Sequence, residues 1–190
     1  MPEQISIGGG VLIGGKSARM GTDKATMPWG NATILETIVH TARQVTTDCV
    51  LLGAGPELPR FLKDMKQLRD PYSDAGPMAG LAALLAHFPH QWCLLLSCDI
   101  PNVSPATITA LVEQIAPDTK AIAYSTPMLE TCCTLYHASV LPDVERAIAA
   151  HRLALHRLIR SIPHVAVPAD APTQRALFNI NAPVDYTPPQ

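Results

Sequence analysis

Between Leu12 and Lys24 the chain reads Leu-Ile-Gly-Gly-Lys-Ser-Ala-Arg-Met-Gly-Thr-Asp-Lys, with three cations and three glycines in one short stretch. Glycine lets a main chain turn tightly and lets its N–H groups approach an oxyanion closely. Lys16, Arg19 and Lys24 add positive charge, and Asp23 is the only acid among them. A polyphosphate is the natural partner of such a loop, against the plainer alternative of a strand-to-helix connection with solvated charges. Two acids follow downstream. Asp70 opens Asp70-Pro71-Tyr72-Ser73-Asp74-Ala75-Gly76-Pro77, and Asp99 ends the apolar run Trp92–Cys98. A carboxylate that terminates a buried strand can hold Mg²⁺, which takes one or two carboxylates together with substrate phosphate oxygens. The structural alternative for Asp99 is a helix N-cap, a position that Ser104 fills better. For Asp70 the alternative is a turn, since Asp-Pro commonly starts one. Asn179 and Asn181, each with donors and an acceptor, suit a polar heterocycle or a phosphate; an Asn-x-Asn before Pro183 also suits a turn.

The same region matches a second pattern. Gly10-Val11-Leu12-Ile13-Gly14-Gly15-Lys16-Ser17 satisfies G-x-x-x-x-G-K-S, and Trp92–Asp99 resembles the acid-ended strand that accompanies it in P-loop NTPases. In a true P-loop the apolar strand precedes the first glycine and a helix begins at Lys-Ser. Here Val11, Leu12 and Ile13 would lie inside the loop. Gly21, Pro28 and Gly30 follow Ser17 without a helical apolar period.

Strand and helix patterns alternate along the 190 residues. Strands are expected near 9–13, 49–52, 67–69, 92–98, 120–124, 132–136 and 164–167. Helices are expected over 33–45, 59–65, 78–88, 105–115, 140–150 and 153–161, with an irregular Pro-rich end. Residues Ile34, Leu35, Ile38, Val39, Ala42 and Val45 repeat as one face of an amphipathic helix. The strands are continuously apolar rather than alternating, which implies a mostly parallel sheet covered on both faces. Ligands bind such sheets at the carboxyl ends of the strands, where the glycine loop, Asp70 and Asp99 all fall.

Composition bounds the partners. The length fits one domain spanning 1–190. A net charge of −2 gives no general pull toward nucleic acid or an anionic membrane. No stretch is long and apolar enough to predict a membrane span, and Met1-Pro2-Glu3-Gln4 lacks a signal peptide's basic start, so the cytoplasm is the expected compartment. Cys49, Cys93, Cys98, Cys132 and Cys133 are odd in number, form no C-x-x-C pair and fit a reducing compartment.

Four segments, in order, resemble a known family. L-[AI]-G-G-x-S-x-R-M-G-x-D-K appears as Leu12–Lys24, and an acid followed by G-P-[LM]-A-G-[LI] appears as Asp70 and Gly76–Leu81. C-D-[IMT]-P appears as Cys98–Pro101, and N-I-N-x-P as Asn179–Pro183. The chain thus resembles the molybdenum cofactor guanylyltransferases within the MobA-like nucleotidyltransferase group. The resemblance implies a three-layer α/β/α, Rossmann-like fold of the nucleotide-diphospho-sugar transferase type. It also implies transfer of GMP from GTP to molybdopterin with release of pyrophosphate. By this resemblance Leu12, Ile13, Gly14 and Gly15 pass along the nucleotide, while Arg19 and Lys24 hold the triphosphate. Asp99 carries Mg²⁺, and Asp70 lies near the guanosine or assists the metal. Asn179 and Asn181 meet the acceptor, molybdopterin; Arg152 and Arg157 either meet its phosphate or form a solvated helix face. Implied partners are a molybdenum-inserting enzyme and the molybdoenzymes that receive the product.

The chain departs from the family pattern at four places. Ile13 stands where alanine is usual, Gly53 where asparagine often lies near the base, and Thr131 where a proline is common. His151–Arg157 lacks the usual Gly-x-Arg spacing. Transfer from CTP, or to another small phosphate, is the nearest alternative. A P-loop NTPase and a non-catalytic nucleotide- or cofactor-binding homologue are the others.

Overall fold

The computed structural model describes residues 5–13, 24–53, 58, 62–180 and 185–186. Seven strands form the main sheet: β1 (Ile7–Leu12), β4 (Asp48–Leu52), β5 (Gln67–Leu68), β6 (Trp92–Ser97), β7 (Ala121–Ser125), β8 (Leu129–His137) and β9 (His164–Pro168). Their order is β5-β4-β1-β6-β8-β7-β9. Every pairing is parallel except those of β8 with β6 and β7. A separate two-stranded ribbon joins β2 (Pro28–Trp29) to β3 (Ala32–Thr33).

The helices divide between the faces because successive strand residues point to opposite sides. Leu51, Leu94 and Leu96 meet α1 (Ile34–Arg43) and α3 (Pro105–Val112) in one buried cluster. Val50, Leu52, Cys93 and Leu95 meet α2 (Pro77–His87), α4 (Leu141–Ala149) and α5 (Leu155–Ser161) in the other. Both faces are covered, so the strands read as unbroken apolar runs. The result is a three-layer α/β/α sandwich, as expected from the sequence.

Helix starts follow their capping chemistry. Thr33 and Glu36 form a reciprocal capping box on α1, with Thr33 N–H donating to Glu36 Oε2 at 2.8 Å and Glu36 N–H to Thr33 Oγ1 at 3.2 Å. Ser104 caps α3, accepting from Thr107 N–H at 3.2 Å, which leaves Asp99 free of that duty. Gly76 precedes α2 at φ 55°, ψ −139°, a conformation that side chains resist, and Pro77 supplies the first turn.

Gly10 lies in the middle of β1, between Val50 of β4 and Leu95 of β6. This removes the P-loop reading, whose first glycine belongs to the phosphate loop. Gly8 and Gly10 let α2 press onto the sheet. A Cβ at Gly8 would sit 2.4 Å from the Phe88 ring, and one at Gly10 2.7 Å from Leu52 and Leu84 side-chain carbons. From the helix side, a Cβ at Gly80 would meet Leu12 Cδ2 at 2.5 Å. Gly8→Ala is expected to cost about 1–3 kcal/mol by overpacking. Thermal unfolding would show this as a melting temperature lower by several degrees; an unchanged value would mean that the Phe88 ring yields at no cost.

Four elements differ from expectation. The third helix stops at Val112 rather than 115, and Pro117 disfavours helical backbone at the residue before it. Strand β8 begins at Leu129 because Leu129 pairs with Ser125 past a bulge in β7. The supposedly irregular end holds α6 (Ala171–Ala176), capped by Asp170, whose Oδ1 accepts from Thr173 N–H at 2.9 Å. Of the helix expected over 59–65, residues 59–61 lie outside the described residues, and Leu62–Met65 forms a turn closed by Met65 N–H on Leu62 O at 3.1 Å. No helix among the described residues is long and apolar enough to cross a membrane.

Candidate functional site

The carboxyl ends of the parallel strands lie along one edge of the sheet. Because β8 runs the other way, its first residues reach that same edge. Leu12 ends β1, and buried Ile13 continues it, with its N–H donating to Leu52 O at 3.0 Å. Gly14, Gly15, Arg19 and Asn181 lie outside the described residues. Description resumes at Lys24, whose backbone opens a 3₁₀ turn, Lys24–Thr26, with Ala25 buried against the α1 face. Ile13 and Ala25 are thus buried in one core.

Gly53 terminates β4 at φ 94°, left-handed backbone that favours glycine. Its N–H donates to Leu68 O at 2.9 Å, and its carbonyl accepts from Gln67 Nε2 at 2.7 Å. Asp70 follows β5 and is exposed, and partial burial raises its carboxyl above the ordinary value. The strands that lead to Asp70 and Asp99 are three positions apart in the sheet order. That is roughly 14 Å between the two strands at the usual spacing.

Asp99 leaves the end of β6 and is tied to the distal motif, for Ile180 N–H donates to its carbonyl at 2.8 Å. The side chains of Cys132 and Asn179 lie next to each other beside it. Burial first, and then the Asp99 charge, pushes the Cys132 thiol up to about 12, so it stays protonated near neutrality. Asp99 Oδ1 and Asn179 Oδ1 are both buried, and neither meets a hydrogen-bond partner among the described residues. A buried polar atom left alone costs free energy that a bound ligand or ion can recover. A lone carboxylate oxygen at a sheet edge fits a hard divalent cation that draws its other ligands from phosphate and water. Among the described residues no three His, Cys, Asp or Glu side chains gather as a metal cage.

A cleft of about 880 Å³ opens next to this cluster, with Asn102, Thr126, Glu130, Arg175, Phe178 and Asn179 among its walls. Arg152 and Arg157 line a different groove of about 340 Å³, between α4 and α5, together with Arg146. Arg146 there pairs with Asp143. No residue lining that groove also lines the larger cleft. The fold thus brings Asp99 and Asn179 together and brings Arg152 and Arg157 together, as two separate groups.

Sequence reasoning missed Cys132, Thr126, Glu130, Arg175 and Phe178. One signal was available. A strand that reverses direction presents its first residues, rather than its last, to the ligand edge.

A model of the MobA-like NTP transferase domain matches residues 9–169. A probable molybdenum cofactor guanylyltransferase of Carboxydothermus hydrogenoformans is 29% identical, covering 93% of this chain and 91% of that one. A molybdenum cofactor guanylyltransferase of Pseudomonas entomophila is 29% identical, over 91% and 92% of the two chains. Among solved structures, molybdopterin-guanine dinucleotide biosynthesis protein A from Archaeoglobus fulgidus superposes with a TM-score of 0.77 at 22% identity, over 94% of each chain. A Mycobacterium tuberculosis protein solved in complex with manganese has a TM-score of 0.63 at 20% identity, covering 87% of this chain and 89% of that one. The matched residues run from within β1 through β9, so this chain belongs to the MobA-like NTP transferase domain family.

Proposed function

We propose that this protein transfers GMP from GTP to molybdopterin, releasing pyrophosphate and forming molybdopterin guanine dinucleotide. The observation that carries the reading is the Asp99 cluster. An orphaned carboxylate oxygen, bonded through its own backbone to the Asn179–Ile180 segment, lies at the ligand edge of a MobA-like fold.

In the reaction, a phosphate oxygen of the acceptor attacks the α-phosphorus of GTP in line. The new P–O bond forms as the bond to the bridging oxygen breaks, and pyrophosphate leaves with that electron pair. The attacking phosphate monoester is already anionic at neutral pH, so no side chain has to remove a proton. The protein's work is positioning and charge neutralisation. Leu12, Ile13, Gly14 and Gly15 run along the nucleotide. Arg19 and Lys24 hold the triphosphate and the charge gathering on the leaving pyrophosphate. Asp99 would hold a divalent cation, magnesium by this reading, whose chemistry there is Lewis-acid polarisation of phosphate oxygens. Asp70, on the far side of β1 from Asp99, stands on the guanosine side. Asn179 and Asn181 face the acceptor, and Arg152 with Arg157 offers an outlying phosphate contact. The protein acts in the cytoplasm, between a molybdenum-inserting enzyme and the molybdoenzymes that receive the product.

One feature favours a second donor. Gly53, with its left-handed backbone, stands where an asparagine would meet the base, so CTP is the competing nucleotide. The test is pyrophosphate release with Mg²⁺ and molybdenum-loaded molybdopterin, offering GTP, CTP, ATP and UTP separately. Release with GTP alone is the expected result. Release with CTP instead would keep the mechanism and change the product, and γ-phosphate release would remove nucleotidyl transfer altogether.

A further inference from the structure

The cleft beside Asp99 holds a carboxylate that the transfer chemistry leaves unused. Glu130 lies in the first residues of β8 and is half-buried. Its Oε1 accepts from the Thr126 hydroxyl across the β7–β8 turn. The turn itself is held by Thr126 N–H on Met128 O at 2.8 Å and by Thr134 Oγ1 on Glu130 O at 2.9 Å. Among the described residues no cation forms an ion pair with this carboxylate. Phe178 lines the same cleft and is 55% exposed, although Leu177 and Ile180 to either side are buried in the core. An exposed aromatic ring thus stands beside a cleft that also holds a carboxylate engaged in no ion pair among the described residues, with Arg175 on another wall.

That pairing suits a flat heterocycle whose edge carries adjacent N–H donors. A carboxylate accepts two parallel N–H bonds, and an aromatic ring stacks on a planar base. The 2-amino-4-oxopyrimidine edge, with a ring N–H next to an exocyclic NH₂, has this form. Pterin and guanine both carry it, and the sheet order separates them. The glycine loop follows β1, with β4 and β5 beyond it, whereas Glu130 enters from β8 on the opposite side of β6. By the reading that sets Asp70, after β5, on the guanosine side, the base lies toward β4 and β5, and the β8 side is left to the acceptor.

We propose that Glu130, oriented by Thr126, reads the 2-amino-4-oxo edge of the acceptor's pterin while Phe178 stacks on its face. This rests on molybdopterin being the acceptor. The test is fluorescence titration of the full chain with molybdopterin, run alongside GTP binding, for wild type, Glu130→Gln and Thr126→Val. Glu130→Gln should raise the molybdopterin Kd by about 10- to 100-fold, the scale of a lost charged hydrogen bond. Thr126→Val should raise it by a smaller factor, and both should leave the GTP Kd within about twofold. A molybdopterin Kd unmoved by Glu130→Gln overturns the assignment. A GTP Kd that rises in its place overturns it too, giving the edge to guanine. Tight wild-type molybdopterin binding without pyrophosphate release would defeat the transfer reading and leave this one standing. Absence of wild-type molybdopterin binding would defeat both.

Discussion

Asp99→Asn is expected to lower nucleotidyl transfer by about 10³-fold, the upper range for removing one electrostatic stabiliser from a phosphoryl-transfer or acyl-transfer site. The substitution keeps the shape of the side chain and exchanges one carboxylate oxygen for an amide. Ile180 N–H bonds to the main-chain carbonyl of residue 99, not to its side chain, so the link between β6 and the Asn179 segment survives. The variant should therefore fold. Its melting temperature should equal or exceed that of wild type, because a buried carboxylate oxygen without a partner is a cost to the folded state. Stability retained while activity collapses is the mark of a site held at the expense of stability. Two measurements decide it: transfer rate against magnesium concentration, and thermal unfolding. An unchanged magnesium dependence would move the metal to another residue.

Lys24→Ala should cost about 10²-fold in kcat/KM for GTP, by comparison with the loss of one oxyanion donor. The backbone at Lys24 opens a 3₁₀ turn packed on the α1 face through buried Ala25. A lysine on such a fixed stem contributes charge without first having to order the chain that carries it. Lys24→Arg should recover only part of the loss, because a planar fork replaces a compact point charge. Lys16 is the informative control. In a P-loop it would be the phosphate lysine, but Gly10 is inside β1, so the larger loss should fall on Lys24. Full activity in Lys24→Ala would remove that residue from the mechanism.

The fold was largely legible because the strongest local signals agreed with the tertiary arrangement. The period of Ile34, Leu35, Ile38 and Val39 predicted α1, and the unbroken run Trp92–Cys98 predicted a strand buried on both faces, observed over Trp92–Ser97. The misses occurred where pattern is weak. Leu129, Glu130 and Thr131 fall outside the strand expected over 132–136 yet extend β8, because the pairing partner in β7 is visible only in three dimensions. The α6 segment buries none of its own residues, so no apolar period could announce it. Its Asp170 cap and Pro172 were the available signs. The chemistry-bearing residues split the same way. Asp99 and Asn179 stand in two motifs far apart in sequence, and the hydrogen bond from Ile180 N–H to Asp99 O brings those motifs together. Glycines were misjudged in one respect. Only the glycines between Leu12 and Lys24 were read for their function, whereas Gly8 and Gly10, just before them, serve the approach of α2.

That close approach divides the molecule by how freely it can diverge. On the β1–α2 side a single added methyl collides with the Phe88 ring or the Leu52 and Leu84 side chains, so few sequences satisfy this half. Across the sheet, α6 contributes no buried residue and is anchored by its neighbours Leu177 and Ile180. Substitutions along α6 change the wall of the cleft with little consequence for folding. A scaffold of this kind tolerates change along the cleft wall on one flank, while the close packing of α2 on β1 fixes the other.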